Sequence, residues 1–297
     1  MFYSYTIFLV LFEFMNLNGD LLNNLVIRNS YVYGKLSRNI SGNFTKFFTV
    51  PKRWFLHFYI LGVLLSISCW VLIWHVTIQK NPIPNFVENV LSVCTLSERT
   101  SSVNRNASYI ALVLYSLHVS KRLYESLFVS VFSSSRMSIF HYIVGISHYM
   151  GAFIGLISYY PGFASLDTQF KDSNGISNWQ LSVGGVVILA SFLQFLSLKH
   201  LADLRKTDKK KDLSAREKYH LPSEGLFAYI SCPHYLTEIV VYIGIGCIFS
   251  FQHTVWNAVC IFVVTNQVQI ALMTHAWYKK NFKDFPLNRK AILPLLL

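Results

Sequence analysis

The stretch Lys199-His200-Leu201-Ala202-Asp203-Leu204-Arg205 closes one apolar run. After a basic loop from Lys206 to Lys218, Pro222-Ser223-Glu224-Gly225-Leu226-Phe227 leads to Ser231-Cys232-Pro233-His234-Tyr235-Leu236-Thr237-Glu238, which opens the next. Cations therefore sit at one membrane face, and polar side chains lie inside the apolar runs on either side. This pattern suits a cofactor whose phosphates stay in water while its reactive ring reaches into the bilayer. Asp203 to Glu217 mixes charges of both signs with little to bury, and Pro222 with Gly225 marks a turn before the following helix.

Outward from this stretch, the 297-residue chain is 53% hydrophobic and only 13% charged, against about 25% charged in a soluble domain. Its mean hydropathy is +0.40. These values predict an all-α integral membrane protein forming one domain over 1–297. Seven apolar segments lie near 1–17, 54–78, 107–132, 139–160, 181–198, 229–250 and 254–276. The first is read as a retained membrane segment, because no positive n-region or small-residue cleavage site marks it for removal.

Lys and Arg concentrate in 28–53, 199–218 and 279–290, whereas 161–180 carries only Lys171. With seven spans the basic loops all fall on one side, which makes the C-terminus cytosolic. The loops 18–53 and 199–225 then face the cytosol, the second toward the cofactor. The net charge of +12 fits a positive-inside membrane protein or a binder of polyanions, and both can hold; no nucleic-acid partner is expected. The five cysteines show no metal spacing, so no zinc site or disulfide framework is expected. The sequons at Asn39, Asn43 and Asn106 are read as chance matches.

Gly-x-Gly-x-x-Gly and Walker loops are absent, and Gly244-Ile245-Gly246 is read as helix packing. In the third span His118, Arg122 and Glu125 share a helix face, with Lys121 or Arg122 available to pair with Glu125. In the sixth, His234 and Glu238 are four apart with Tyr242 one turn on, and a carboxylate there needs a partner. His141 and His148 share a face without further ligands. Asn266, Gln267 and Gln269 are explained by interhelical hydrogen bonds, and Trp277 and Tyr278 fit an interfacial belt.

The tail His275-Ala276-Trp277-Tyr278, Asp284-Phe285-Pro286 and Arg289-Lys290-Ala291 resembles the C-terminal signature of the steroid 5α-reductase family, as do Leu204-Arg205 and Gly225-Leu226-Phe227-Ala228-Tyr229. Three further stretches resemble its polyprenol (polyprenal) reductase branch: Val50-Pro51-Lys52-Arg53-Trp54-Phe55-Leu56-His57-Phe58-Tyr59, Arg122-Leu123-Tyr124-Glu125, and Cys232-Pro233-His234-Tyr235. The resemblance covers residues 50 to 297, with the reductase signature in 180–297. It implies a seven-transmembrane-helix, steroid 5α-reductase-like bundle that uses NADPH. Arg205, Tyr229, His234, Glu238, His275, Tyr278 and Arg289 become its cofactor contacts. The third-span tyrosine of the steroid enzymes falls on Val119, which disfavours a steroid substrate.

The resemblance further implies an endoplasmic reticulum membrane, a polyisoprenoid lipid substrate and a place on the route to dolichol for N-glycosylation. An isolated alkene cannot accept hydride, because nothing stabilises the carbanion, whereas an α,β-unsaturated aldehyde moves the charge onto its oxygen. Polyprenal is therefore preferred over the alcohol as acceptor. A donor aimed at that oxygen supplies much of the acceleration, and the candidates are His57, Tyr59, Tyr124 and Glu125. Within the same fold the rival is an enoyl-CoA or 3-oxo-steroid reductase. A non-catalytic transporter or scaffold would need inverted repeats, which the sequence does not show.

Overall fold

The computed structural model describes residues 49–94, 103–132, 135–160, 162–163, 175–210 and 220–294. The first expected span, 1–17, lies outside the described residues. The other six fall on helices. α1 runs Phe55–Ile73 and continues through a π turn, Trp74–Ile78. A short helix, α2, occupies Asn85–Cys94 within the expected loop 79–106. α3 spans Arg105–Tyr124 with a π turn Glu125–Val129, and α4 spans Ile139–Ser158. α5 covers Asn178–Lys210, α6 Pro233–Ile248 and α7 Thr254–Asn281.

Local chemistry sets several of the starts. The Asn104 side chain accepts from the Asn106 amide at 2.8 Å to cap α3, and Ser138 caps α4 through the Phe140 amide at 3.2 Å. Proline occupies the first turn of α6, where its missing N–H costs nothing. His253 caps α7 by accepting from the Trp256 amide at 3.1 Å. α5 corrects the expected end of the fifth span. It passes Leu198 and runs to Lys210, because the Lys, Arg and Leu residues beyond the apolar run are good helix formers. The expected turn before α6 is present: Gly225 takes φ +58 and opens the 3-10 helix Gly225–Ala228.

Strands β1, Thr49–Pro51, and β2, Arg136–Ser138, pair antiparallel and tie the start of α1 to the start of α4. α5 and α6 pack face to face, and a Cβ on Gly244 would collide with Val187 across that seam. This supports the packing role read for the glycine pair. The fully buried Tyr115, Phe153, Tyr242, Ile245 and Trp256 form the centre of the bundle. Leu64, Ile67, Val71 and Trp74 on α1 face outward, as do Leu189 and Phe192 on α5. Lipid is as apolar as these side chains, so such a surface is ordinary in a membrane.

Four described helical segments are long and apolar enough to cross a membrane: Lys52–Ile78, Ile139–Ser158, Asn178–Lys206 and Thr254–Asn281. Pro233–Ile248 is apolar but shorter. α3 falls outside this set because Lys121 and Arg122 in its last turn, and Glu125 in the π turn, carry charge into the bundle.

Candidate active site

Six helices, α1 and α3 to α7, enclose a cavity of about 330 Å³, within the range of small-molecule sites. Its wall changes character along its length. Lys52 and Arg205 stand in one part, Gln194, His234 and Glu238 in another, and Phe55, Phe58, Val144, Phe262 and Ile270 supply apolar surface.

Glu238 is the centre of the polar wall. Its Oε1 lies 3.4 Å from His118 Nε2, and its Oε2 accepts from the Gln194 amide. The Gln194 oxygen accepts from Lys121 Nζ at 2.5 Å, and its amide also reaches the His234 carbonyl at 3.3 Å. His118 Nδ1 lies 3.2 Å from Ser191 Oγ, so the imidazole is satisfied when Nε2 carries the proton and Nδ1 accepts from the serine. Three helices thus converge on one carboxylate, which is how a buried charge becomes tolerable.

A second centre begins with Tyr59, which lines the cavity and accepts from Arg122 Nη2 at 2.6 Å. The guanidinium lies 5.0 Å from the Tyr59 ring centroid. Arg122 Nη1 donates to Glu125 Oε2 at 2.5 Å, and Lys121 Nζ stands 3.1 Å from Glu125 Oε1. Glu125 is only 1% exposed and does not reach the cavity wall. Both pairings expected for Glu125 are made, and together they aim Arg122 at Tyr59. A third centre joins Tyr242 to His148 Nε2 at 3.0 Å and to the Tyr115 hydroxyl at 3.3 Å. T-shaped contacts between Tyr59 and Tyr149 and between Tyr149 and His148 make one continuous aromatic wall between the second and third centres.

The expected cofactor residues divide. Arg205, His234 and Glu238 line the cavity. His275, Tyr278 and Arg289 instead form a neighbouring cluster where the C-terminal segment docks on the entry to α6. Ser231 N donates to Lys290 O at 2.8 Å and Cys232 N to Ala291 O at 3.1 Å. His275 Nδ1 lies 2.8 Å from Ser231 Oγ. Arg289 Nη1 donates to the Pro222 carbonyl at 2.9 Å, and its guanidinium sits over Phe285. Burial pulls Arg289 below the usual guanidinium range, with Tyr278 acting against that shift. Arg205 lies near enough to Tyr278 to act on it electrostatically, so the cluster adjoins the cationic part of the cavity.

Besides Glu125 and the tail cluster, three further expected residues are not brought to the cavity. His57 is turned toward Tyr142, 3.1 Å from its hydroxyl. Tyr124 is 52% exposed and packs on Phe128. Tyr229 is 69% exposed; its amide donates to the Leu226 carbonyl at 3.2 Å and its carbonyl accepts from Lys290 N at 3.3 Å. Each lies on the outer side of its segment, which motif matching cannot distinguish from the inner side.

Other residues enter that were not expected as site members. Gln194 is the one carboxamide in the apolar run 181–198, and that isolation was the signal available. Asn266 and Gln267 line the cavity, and among the described residues the buried Oε1 atoms of Gln267 and Gln269 have no hydrogen-bond partner. The interhelical hydrogen bonds expected of those oxygens are therefore not made. An unpaired carboxamide oxygen, a carboxylate and a histidine beside two cations suit a dinucleotide with a carboxamide-bearing ring.

The fold and this site define a membrane-embedded oxidoreductase, and the chain belongs to the 3-oxo-5-alpha-steroid 4-dehydrogenase family, whose model matches residues 135–297. It is similar to the polyprenal reductase of Caenorhabditis elegans, with 34% identity over 89% of this chain and 85% of the relative. The polyprenal reductase of Drosophila melanogaster is also 34% identical, over 91% of this chain and 84% of its own length. That of Homo sapiens is 29% identical, over 84% and 78%.

Proposed function

We propose that this chain is an NADPH-dependent reductase that saturates the α-isoprene double bond of polyprenal on the route to dolichol for N-glycosylation. The observation that carries the reading is the shared cavity. Cations, a hydrogen-bonded carboxylate and an arginine-backed tyrosine line the same space as the apolar side chains that would receive a polyisoprenoid. The names of the relatives point to polyprenal rather than to a steroid.

When bound, NADPH supplies the hydride. Arg205 and Lys52 take its diphosphate, and Arg289 with Tyr278 takes the phosphorylated ribose, Arg being suited to bidentate phosphate contact. His275 fixes Ser231 and with it the entry to α6. Glu238, His234 and Gln267 hold the carboxamide of the ring. Tyr59 donates to the aldehyde oxygen. Because its own oxygen already accepts from Arg122, its proton is free to point at substrate, and the adjacent cation favours the charge that develops there. Glu125 keeps Arg122 in place. The isoprenoid tail lies along α1, α4 and α7 and extends into lipid. Seven spans and a cytosolic C-terminus, supported by the distribution of basic residues, and an endoplasmic reticulum location, implied by the dolichol route, complete the reading.

The test is detergent-solubilised protein incubated with NADPH and, separately, polyprenal, polyprenol, an enone steroid and an enoyl-CoA. Consumption of polyprenal alone is the expected result. Absence of NADPH binding, or preference for another acceptor, overturns the reading.

A further inference from the structure

Saturating an enal needs two deliveries. Hydride reaches the β-carbon, and a proton must then reach the α-carbon. The resting charges and hydrogen bonds of the cavity limit which group can supply it. Both Glu238 oxygens are engaged, by His118 and Gln194. Tyr59 is committed to Arg122 and to the carbonyl oxygen, and an arginine does not give up its proton. His141 packs on Phe55 and lies within electrostatic reach of Lys52, at the phosphate part of the cavity. The His234 ring packs tilted against Tyr235, one turn before Glu238.

Tyr242 remains. Its ring is 1% exposed, stacked on Trp256 at 5.7 Å and 10°, so its hydroxyl is held in one place on the cavity wall. That hydroxyl has two polar neighbours, His148 Nε2 at 3.0 Å and the Tyr115 hydroxyl at 3.3 Å. His148 itself lines the cavity. With Nε2–H donating to the phenol oxygen, the Tyr242 proton is free to face a bound acceptor, and the phenolate that forms is met by two donors.

We propose that Tyr242 is the acid that protonates the α-carbon and that His148 is its proton relay. The inference rests on the enal-reductase reading above. After hydride addition the alkene pair lies in an enolate, with its charge on the oxygen facing Tyr59. The Tyr242 O–H bond breaks, a C–H bond forms at the α-carbon, and the enolate returns to an aldehyde. As the phenolate recovers its proton from His148 Nε2, Nδ1 of the same ring takes one from solvent, so the imidazole stays neutral. In sum the alkene is reduced, the dihydronicotinamide is oxidised, and one solvent proton is consumed.

The experiment uses the full chain in detergent, with Tyr242→Phe and His148→Gln variants. Polyprenal turnover is followed with NADPH in H₂O and D₂O, and NADPH affinity is measured separately by fluorescence titration. Tyr242→Phe is expected to lower kcat about 100-fold, the scale of a lost general acid, with NADPH affinity unchanged and the solvent isotope effect on kcat increased. His148→Gln is expected to lower kcat about tenfold with the same isotope signature. Either variant keeping kcat within about threefold of wild type, at wild-type NADPH affinity, overturns the proposal. If Tyr242→Phe no longer binds NADPH, His148→Gln decides by the same threshold. If the wild type turns over polyprenal normally and the variants match it, only the Tyr242 assignment fails. A wild type that leaves polyprenal untouched overturns the reductase reading and this inference together.

Discussion

Gln194 on α5 donates its amide to Oε2 of Glu238 on α6, and its own oxygen takes Lys121 from α3. One carboxamide therefore satisfies a carboxylate and an ammonium at once. Gln194→Leu removes both contacts, leaving Glu238 with His118 and Lys121 with Glu125 and the Ser191 carbonyl. The expected cost is about 1–3 kcal/mol of stability, the penalty of leaving buried polar groups unmade. A thermal melt in detergent checks it, and NADPH titration should show weakened binding in the same variant.

Glu238→Gln keeps the size of the side chain and removes its charge. With His118 Nε2–H still offered to Oε1, the fold is expected to persist. Polyprenal turnover should fall at least about 100-fold, and size-exclusion elution should be unchanged. A variant with wild-type turnover would show that the carboxylate has no part in the reaction.

Tyr59→Phe removes the hydroxyl proposed to meet the aldehyde oxygen. The loss of one such donor is expected to lower kcat about 10²- to 10³-fold with little change in NADPH affinity. Glu125→Ala acts differently. It leaves Lys121 and Arg122 without their shared carboxylate, and the expected effect is about 3–5 kcal/mol of destabilisation. Paired kinetic and melting measurements separate the two outcomes.

Arg205→Ala is expected to raise the Kd for NADPH about tenfold or more, the worth of a charge-assisted hydrogen bond. Arg289→Ala should weaken NADPH more than NADH, because its proposed partner is the extra phosphate. Equal loss for both nucleotides would place Arg289 in support of the Pro222 turn alone.

At Gly145 a Cβ would lie 2.6 Å from the Phe58 ring. Gly145→Ala therefore displaces Phe58, itself part of the apolar wall of the cavity. The expected result is a higher KM for polyprenal at unchanged NADPH affinity, measured across substrates of increasing chain length.

The bundle was legible because apolar runs have to be helices in lipid, and six of them fall where hydropathy places them. Their ends were less legible. The extension of α5 to Lys210 follows from helix propensity, which hydropathy does not register. Within the site, Glu238 announced itself as a carboxylate in an apolar helix, but its partner His118 lies 120 residues away in sequence. Periodicity within one helix carries no information about such a pair. His148 showed in the sequence only a shared helix face with His141, since nothing local reveals that Tyr242 faces it. His275 and Arg289 were recognisable by resemblance, yet resemblance does not say that they brace a docked tail beside the cavity.

The uninterrupted course of α5 has a metric consequence. Gln194 and Arg205 both face the cavity from one rod, eleven residues apart, which fixes their separation along the axis at about 16 Å. The rod acts as a ruler for whatever lies along it. A ligand in contact with both marks would have to reach about that far along the cavity.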